Sequence, residues 1–455
     1  MGGPPMAGRR TGGGRPRRRL RPSPRSMGLR RGDGFSRGFR RAPLAEQDAM
    51  KTGIASPPGF GRLLLVYLAV RVVMTLLVLL NGRLPYGDSA RAWKVSESGF
   101  RYRVIDDRFL DSLDRNDSRG YLWIASYGYA AGEDRQLNTA FFPGYALVVR
   151  AAHDGLRALW PGGAPPPASR EDVLLWHHAG HLVSVVAFLC FLLAFHFWCR
   201  RRFNPEVAWR AGLLVILSPM GFLFSCIMSE ALFLMTAFLA LVMAEQGRYL
   251  KAGLAGAAAA ATKSFGGAVL VSLMLIQWER AKWSLRGWGY GWLAFLLVPL
   301  ALLGVMLWMA ELSGSFFHYV DQQAYFFGHS HFPNFASVLD LFDPRGKTVH
   351  HLVRDVFQIL GLGAALLGMA VFLRRRPAVP FRWAHVALPV IVLCVTLLAG
   401  AAVSMARYAA LSAPAYVGWA LLLDHPRRFR IALAASALLQ AALWLSWMNS
   451  WRWVV

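Results

Sequence analysis

The chain has 455 residues, 55% of them hydrophobic and 16% charged, with a mean hydropathy of +0.36 and a formal net charge of +25. Such a composition describes a protein whose solvent is mostly lipid and excludes an ordinary soluble enzyme. Much of the positive charge sits in the first fifty residues, an Arg/Gly/Pro/Ser tract with almost no apolar content.

Residues 1–60 cannot bury a core, so they read as a disordered cytoplasmic tail. A polybasic arm on anionic headgroups is one reading of that tail, and nucleic-acid binding is another. A charge run specifies little, so a tail that only reinforces topology, or a start site read too early with Met50 as the natural one, is preferred, and no nucleic-acid partner is expected. The first apolar run lies far from the amino terminus and lacks a small-residue cleavage site, so it reads as a retained span, about Leu63 to Leu80. The tail's arginines keep the amino terminus in the cytoplasm and deliver residues 81–138 to the opposite face. That first extracytoplasmic loop is rich in carboxylates: Asp106, Asp107, Asp111, Asp114 and Asp117.

Residues 139–160 carry Arg150, His153 and Asp154 and read as an interfacial or re-entrant helix. Val173 to Trp198 is then the crossing that returns to Arg200, Arg201 and Arg202. Ala208 to Ala244 has room for two crossings joined near Ser218-Pro219 and Ser229-Glu230. Arg248 and Lys251 on one side of Ala252–Trp278, and Arg280, Lys282 and Arg286 on the other, all belong inside. Two short helices with TKSFGG at their outer tip satisfy both, and Lys263 at that tip would point into an outward chamber; a snorkelling lysine on one tilted span is the alternative. A span from about Trp288 to Ala310 leads to a second extracytoplasmic loop, residues 311–351, and the next returns to Arg374 to Arg376. Two more spans flank SMARY, and a last one follows Arg427, Arg428 and Arg430 and ends at WRWVV. The domain at 61–455 is therefore expected to be all-α and polytopic, with about eleven crossings and two larger outer loops.

On the outer side this topology gathers the first-loop aspartates, Glu230, Lys263, His318, Asp321, Gln322, Gln323, Arg407 and Tyr408. A base, cations and sugar-binding amides and aromatics sharing one chamber suit group transfer from a lipid-linked phosphate. The bland readings stand beside these. Asp117 precedes the periodic YLWIASYGY run and is a natural helix N-cap, and Glu230 is equally suited to a hydrogen bond between helices. His177 and His181, four apart, form half of a metal set without a third ligand, and a divalent ion, Mg or Mn, shared by the first-loop aspartates and a donor phosphate stays open. Cys190, Cys199, Cys226 and Cys394 fall in or at the end of apolar runs and read as small core residues.

Five collinear segments carry a family resemblance: NDSRGYLWIASYGY with AFFPGYA, LSPMGFLFSCIMSEALF, AAAATKSFGG, FHYVDQQAYF and SMARY. They resemble the motifs of the GT-C glycosyltransferases, most closely the PIG-V-like branch that includes relatives of GPI mannosyltransferase 2. The resemblance implies a GT-C membrane fold, a polyprenyl-phosphate-linked sugar, often mannose, as donor, and inverting transfer at the extracytoplasmic face. It makes Asp117 the candidate base, with Asp114 as leading substitute, and Arg407 and Lys263 the donor-phosphate partners. Tyr121, Glu230, His318, Gln322, Gln323 and Tyr408 become substrate contacts. The chain departs from the family pattern at Asn116, where tryptophan is usual, at Gly120, where an aromatic is usual, and at Lys263, where arginine is usual.

The expected protein is thus a multi-pass membrane glycosyltransferase acting on a glycan, lipid or protein acceptor. The Arg/Ala/Gly-rich composition and short loops suggest a bacterial plasma membrane, with the endoplasmic reticulum as the alternative. A lipid-linked glycan flippase or a non-catalytic glycolipid-binding relative would use the same chamber. No internal duplication of the kind many transporters show is apparent.

Overall fold

Every regular element in the described part of the chain is helical. The structure is a computed structural model and describes residues 59–81, 107–129, 139–167, 169–331, 333–375 and 379–449. The basic tail, Asp106, Arg376, the terminal WRWVV and the middle of the first loop lie outside these residues.

The helices are α1 (Phe60–Leu80), α2 (Arg108–Leu113), α3 (Ser118–Tyr127), α4 (Pro143–Ala158), α5 (Arg170–Arg202), α6 (Pro205–Ile216), α7 (Glu230–Glu245), α8 (Tyr249–Thr262), α9 (Ala268–Arg280), α10 (Leu297–Ser313), α11 (His318–Phe327), α12 (Phe335–Asp340), α13 (Val349–Arg375), α14 (Arg382–Leu398), α15 (Met405–Ala409), α16 (Ala413–Leu422) and α17 (Pro426–Met448). Among the described residues, five segments are long and apolar enough to cross a membrane: α1, α5, Tyr290–Ser313, α13 and α17. The other helices at positions assigned to crossings, α6 to α9, α14 and α16, have between 10 and 17 residues. At 1.5 Å per residue these are about 15 to 26 Å long, less than the roughly 30 Å of hydrocarbon. The reason is visible in α16. Its leg begins at α15, breaks at residues 410–412 and restarts with Pro414 in the first turn, because proline at that position has no N–H to lose.

Alpha-7 organises the bundle, with a glutamate whose side chain is buried at each end, about 22 Å apart. At the basic end, Glu245 accepts from Arg202 Nη2 (2.8 Å) and Trp198 Nε1 (3.1 Å) and pairs with His385 Nε2 (2.7 Å). It thereby ties α5, α7 and α14 where the arginine clusters lie. Glu230 sits at the other end, among the polar motifs.

Small residues set the helix spacing. An added Cβ at Gly418 on α16 would come within 1.7 Å of the Gly368 carbonyl oxygen on α13, and one at Gly253 on α8 within 2.0 Å of the Ala294 carbonyl. These close approaches replace the hydrophobic drive that lipid does not supply between helices. The cysteines divide: Cys199 and Cys226 are core residues, whereas Cys190 and Cys394 are exposed, on the outward side of their helices. Apolar runs in a bundle have a core side and a lipid side, and both accept cysteine.

Gly418→Ala should force α13 and α16 apart, at a cost of about 1–3 kcal/mol. Thermal unfolding in detergent would show this as a midpoint lowered by several degrees, and an unchanged midpoint would refute the close packing.

Candidate active site

Residue 116 starts the site. Asn116 takes a left-handed φ of 54°, a conformation in which asparagine is enriched and a bulky residue such as tryptophan is uncommon. This turn delivers Asp117 to the head of α3 with its backbone already helical (φ −68°, ψ −15°) and its side chain making no capping hydrogen bond. The carboxylate is turned to Arg407 instead, whose Nη2 donates to Oδ2 at 2.6 Å. The N-cap reading of Asp117 therefore fails.

Arg407 comes from α15, a helix of only five residues, and its Nε donates to Glu230 Oε1 at 2.6 Å. The same Oε1 is 2.9 Å from Lys263 Nζ. Lys263 lies in extended backbone (φ −146°, ψ 145°) between α8 and the short 3-10 turn Ser264–Gly267, at the tip between two short helices. Two cations and two carboxylates thus form one chain, Lys263–Glu230–Arg407–Asp117. Glu230 is fully buried, and its Oε2 has no hydrogen-bond partner. The side chains of Arg407 and Lys263 are 3% and 8% exposed, and that of Asp117 is 22% exposed, so Asp117 is the end of the chain that opens outward.

Aromatic rings line the four charges. Lys263 Nζ lies 5.5 Å from the Phe265 ring centre and 5.6 Å from that of Tyr408, which Arg407 also covers at 5.6 Å. Tyr121 is buried, and its hydroxyl is 2.7 Å from Ser229 Oγ, one residue before Glu230. Its ring packs against Phe141 and Tyr145. Phe141 also explains Gly120, because a Cβ there would enter its ring at 2.3 Å. The aromatic expected at 120 is supplied from AFFPGYA instead.

The second loop closes over this wall. His318 Nε2 is 2.9 Å from Thr139 Oγ1, and Gln323 Nε2 donates to the Ala140 carbonyl. Gln322 is buried with an unpartnered Oε1. Tyr319, not singled out by the sequence, joins the site by donating to Ser264 Oγ (2.9 Å) and packing edge-on against Phe142 at 4.7 Å. Its position one turn before Gln323 on α11 was the available signal.

Asp114 stands apart from this chain. It is 4% exposed, and its Oδ2 is 3.3 Å from His177 Nε2. Burial pushes its carboxyl up, but the bond to His177 and the nearby His177, Arg119 and Arg115 charges prevail and hold it below the usual range. Asp114 therefore joins the first loop to α5 and does not share Arg407 with Asp117. His177 Nδ1 is committed to the Val173 carbonyl (2.8 Å) and His181 Nδ1 to that of Ser225 (2.7 Å), so the two do not converge as metal ligands. Among the described residues no group of three His, Cys, Asp or Glu side chains is placed to hold a metal ion.

The family model described as Mannosyltransferase (PIG-V) matches residues 61–333, which run from α1 through the second-loop helix α11. The chain belongs to the PIG-V mannosyltransferase family. It is 32% identical over 181 residues to GPI alpha-1,6-mannosyltransferase 2 of Mus musculus, covering 40% of this chain and 34% of the relative. With the Rattus norvegicus protein of the same name it shares 29% over 197 residues, covering 43% and 38%. The match thus spans little more than a third of those relatives' length. Similar solved structures include ArnT from Cupriavidus metallidurans bound to undecaprenyl phosphate (14% identity, 83% of this chain and 64% of that one, TM-score 0.44) and the Archaeoglobus fulgidus oligosaccharyltransferase (15% identity, 84% and 56%, TM-score 0.40).

Removing the central acid should be costlier than removing the outer one. Glu230→Gln leaves Arg407 and Lys263 buried without their shared counter-charge and is expected to cost about 3–5 kcal/mol, whereas Asp117→Asn should barely change the unfolding midpoint. Equal losses in the two variants would contradict the order of burial.

Proposed function

We propose that this PIG-V family member is a membrane mannosyltransferase that moves one mannose from a polyprenyl-phosphate donor to an acceptor hydroxyl at the extracytoplasmic face, with inversion. The observation that carries the reading is the single arginine, Arg407, held between a partly exposed carboxylate, Asp117, and a buried one, Glu230.

While Asp117 Oδ2 accepts from Arg407, that oxygen is not free to receive an acceptor's proton. A donor phosphate offers Arg407 a second anion of matching fork geometry, and Lys263 adds a point charge. As the phosphate draws Arg407, Asp117 is released beside the acceptor. The acceptor oxygen then bonds to the anomeric carbon while the bond from that carbon to the phosphate oxygen breaks. The electron pair leaves with the polyprenyl phosphate, and the hydroxyl proton passes to Asp117. Glu230 stays paired and fixes both cations, a positioning role. Tyr121, Tyr408, His318, Gln322 and Gln323 form the wall for sugar and acceptor, which is a glycan, lipid or protein.

Both acids of the chain are paired with cations in the structure, so the steps are written with Arg407 and Lys263 as the phosphate's partners and without a divalent ion. Arginine clusters at the Glu245 end support the sidedness, and composition favours a bacterial plasma membrane.

Asp117→Asn is expected to lower kcat for transfer from synthetic polyprenyl-phosphate-mannose by about 10²–10⁴ while leaving donor affinity within a few fold. Full activity in that variant would end the assignment. Transfer should also persist in EDTA. A loss restored by Mg²⁺ or Mn²⁺ would instead place an ion with Asp117 and the phosphate.

A further inference from the structure

A second arginine, half-buried but with one guanidinium edge enclosed, lies outside the charge chain. Arg71 sits within the span α1, on a helix whose neighbouring Leu68, Val72, Val73 and Leu76 are exposed to the membrane. Its Nη1 donates to Ser225 Oγ at 2.6 Å, and its guanidinium stands 4.9 Å from the Tyr67 ring centre. The Nε and Nη2 atoms are buried and have no hydrogen-bond partner. No carboxylate pairs with Arg71 among the described residues.

An arginine inside a span is costly unless paired, and such residues mark binding sites more often than structure. Here the atoms without an acceptor are Nε and Nη2, one complete edge of the guanidinium and the fork that matches two oxygens of a phosphate. The surroundings are polar in the same sense. Tyr67 Oη lies 3.3 Å from Ser225 Oγ, and His181 Nδ1 must carry its proton toward the Ser225 carbonyl at 2.7 Å. Phe109 of α2 covers His181 edge-on at 5.4 Å.

Depth narrows the ligand. His181 lies 19 residues before Arg200 on α5, about 28 Å along the axis, nearly the whole hydrocarbon thickness from the basic end. On α1, Arg71 lies 11 residues after Phe60 and 9 before Leu80, about 16 and 14 Å from the helix ends, so a phosphate reaches it only when drawn below the headgroup level of the nearer leaflet.

We propose that Arg71, with Ser225, Tyr67 and His181, forms a second anion site, distinct from Arg407, that binds the phosphodiester of a membrane lipid entering beside α1. The site does not depend on the transferase reading, because its test reads lipid binding alone.

The test is thermal unfolding of the purified full chain in detergent, titrated with dioleoylphosphatidylglycerol, with dioleoylglycerol, which lacks the phosphate, and with inorganic phosphate. The midpoint should rise with the phospholipid only. Arg71→Met should bind it on the order of tenfold to a hundredfold more weakly, while Arg407→Gln keeps the shift. Arg71→Lys retains the charge without the fork, and it covers the case in which the methionine variant does not fold; it should be about tenfold weaker. An equal shift in the Arg71 variants, a shift lost only with Arg407, an equal response to dioleoylglycerol or inorganic phosphate, or no shift in the wild type would each overturn the proposal.

Discussion

The end of the bundle that holds the candidate site depends on one guanidinium serving two acids. Arg407 reaches Glu230 through Nε and Asp117 through Nη2, both at 2.6 Å. Burying a charge is costly unless it is paired, and the three innermost groups are buried together. Each keeps its charge because its neighbour does. The four residues come from α3, α7, the α8–α9 tip and α15, so the chain of charges also fixes where four helix ends meet. A site built this way is held in position without a long loop and is sensitive to any further anion that competes for Arg407.

The same economy appears at the far end of α7, where Glu245 collects Arg202, Trp198 and His385. The two ends differ in one respect that matters for function. Glu245 has both oxygens occupied, whereas Glu230 has an unpartnered oxygen and its chain ends in the partly exposed Asp117. One cluster is closed and the other opens outward. Oxygens left over near the opening, on Glu230 and Gln322, are what a polar substrate would meet.

Much of the site was legible in the sequence, because its residues fall in short collinear motifs: the aspartate before YLWIASYGY, the glutamate of SEALF, the lysine of TKSFGG and the arginine of SMARY. Their pairing was not legible. Asp114 and Asp117 are three residues apart and chemically identical, and what separates them is the left-handed turn at Asn116, which aims one at Arg407 and leaves the other with His177. The departures at 116 and 120 also needed coordinates, since the first answers a backbone angle and the second a ring from another segment. In the fold, the two short helices around Lys263 could be read from basic residues at both ends. The end of α6 could be read from Ser218-Pro219, whereas the shortness of α14 and α16 could not, because hydropathy continues through the breaks that end them.

The claim that one carboxylate takes the proton in a single displacement is tested most directly by the stereochemistry of the product. With a β-linked polyprenyl-phosphate-mannose donor of known configuration, proton NMR of the first product formed by the purified chain should show the α-linked sugar. A β-linked product would require two displacements, with a carboxylate acting as nucleophile and not as base, and would contradict the account.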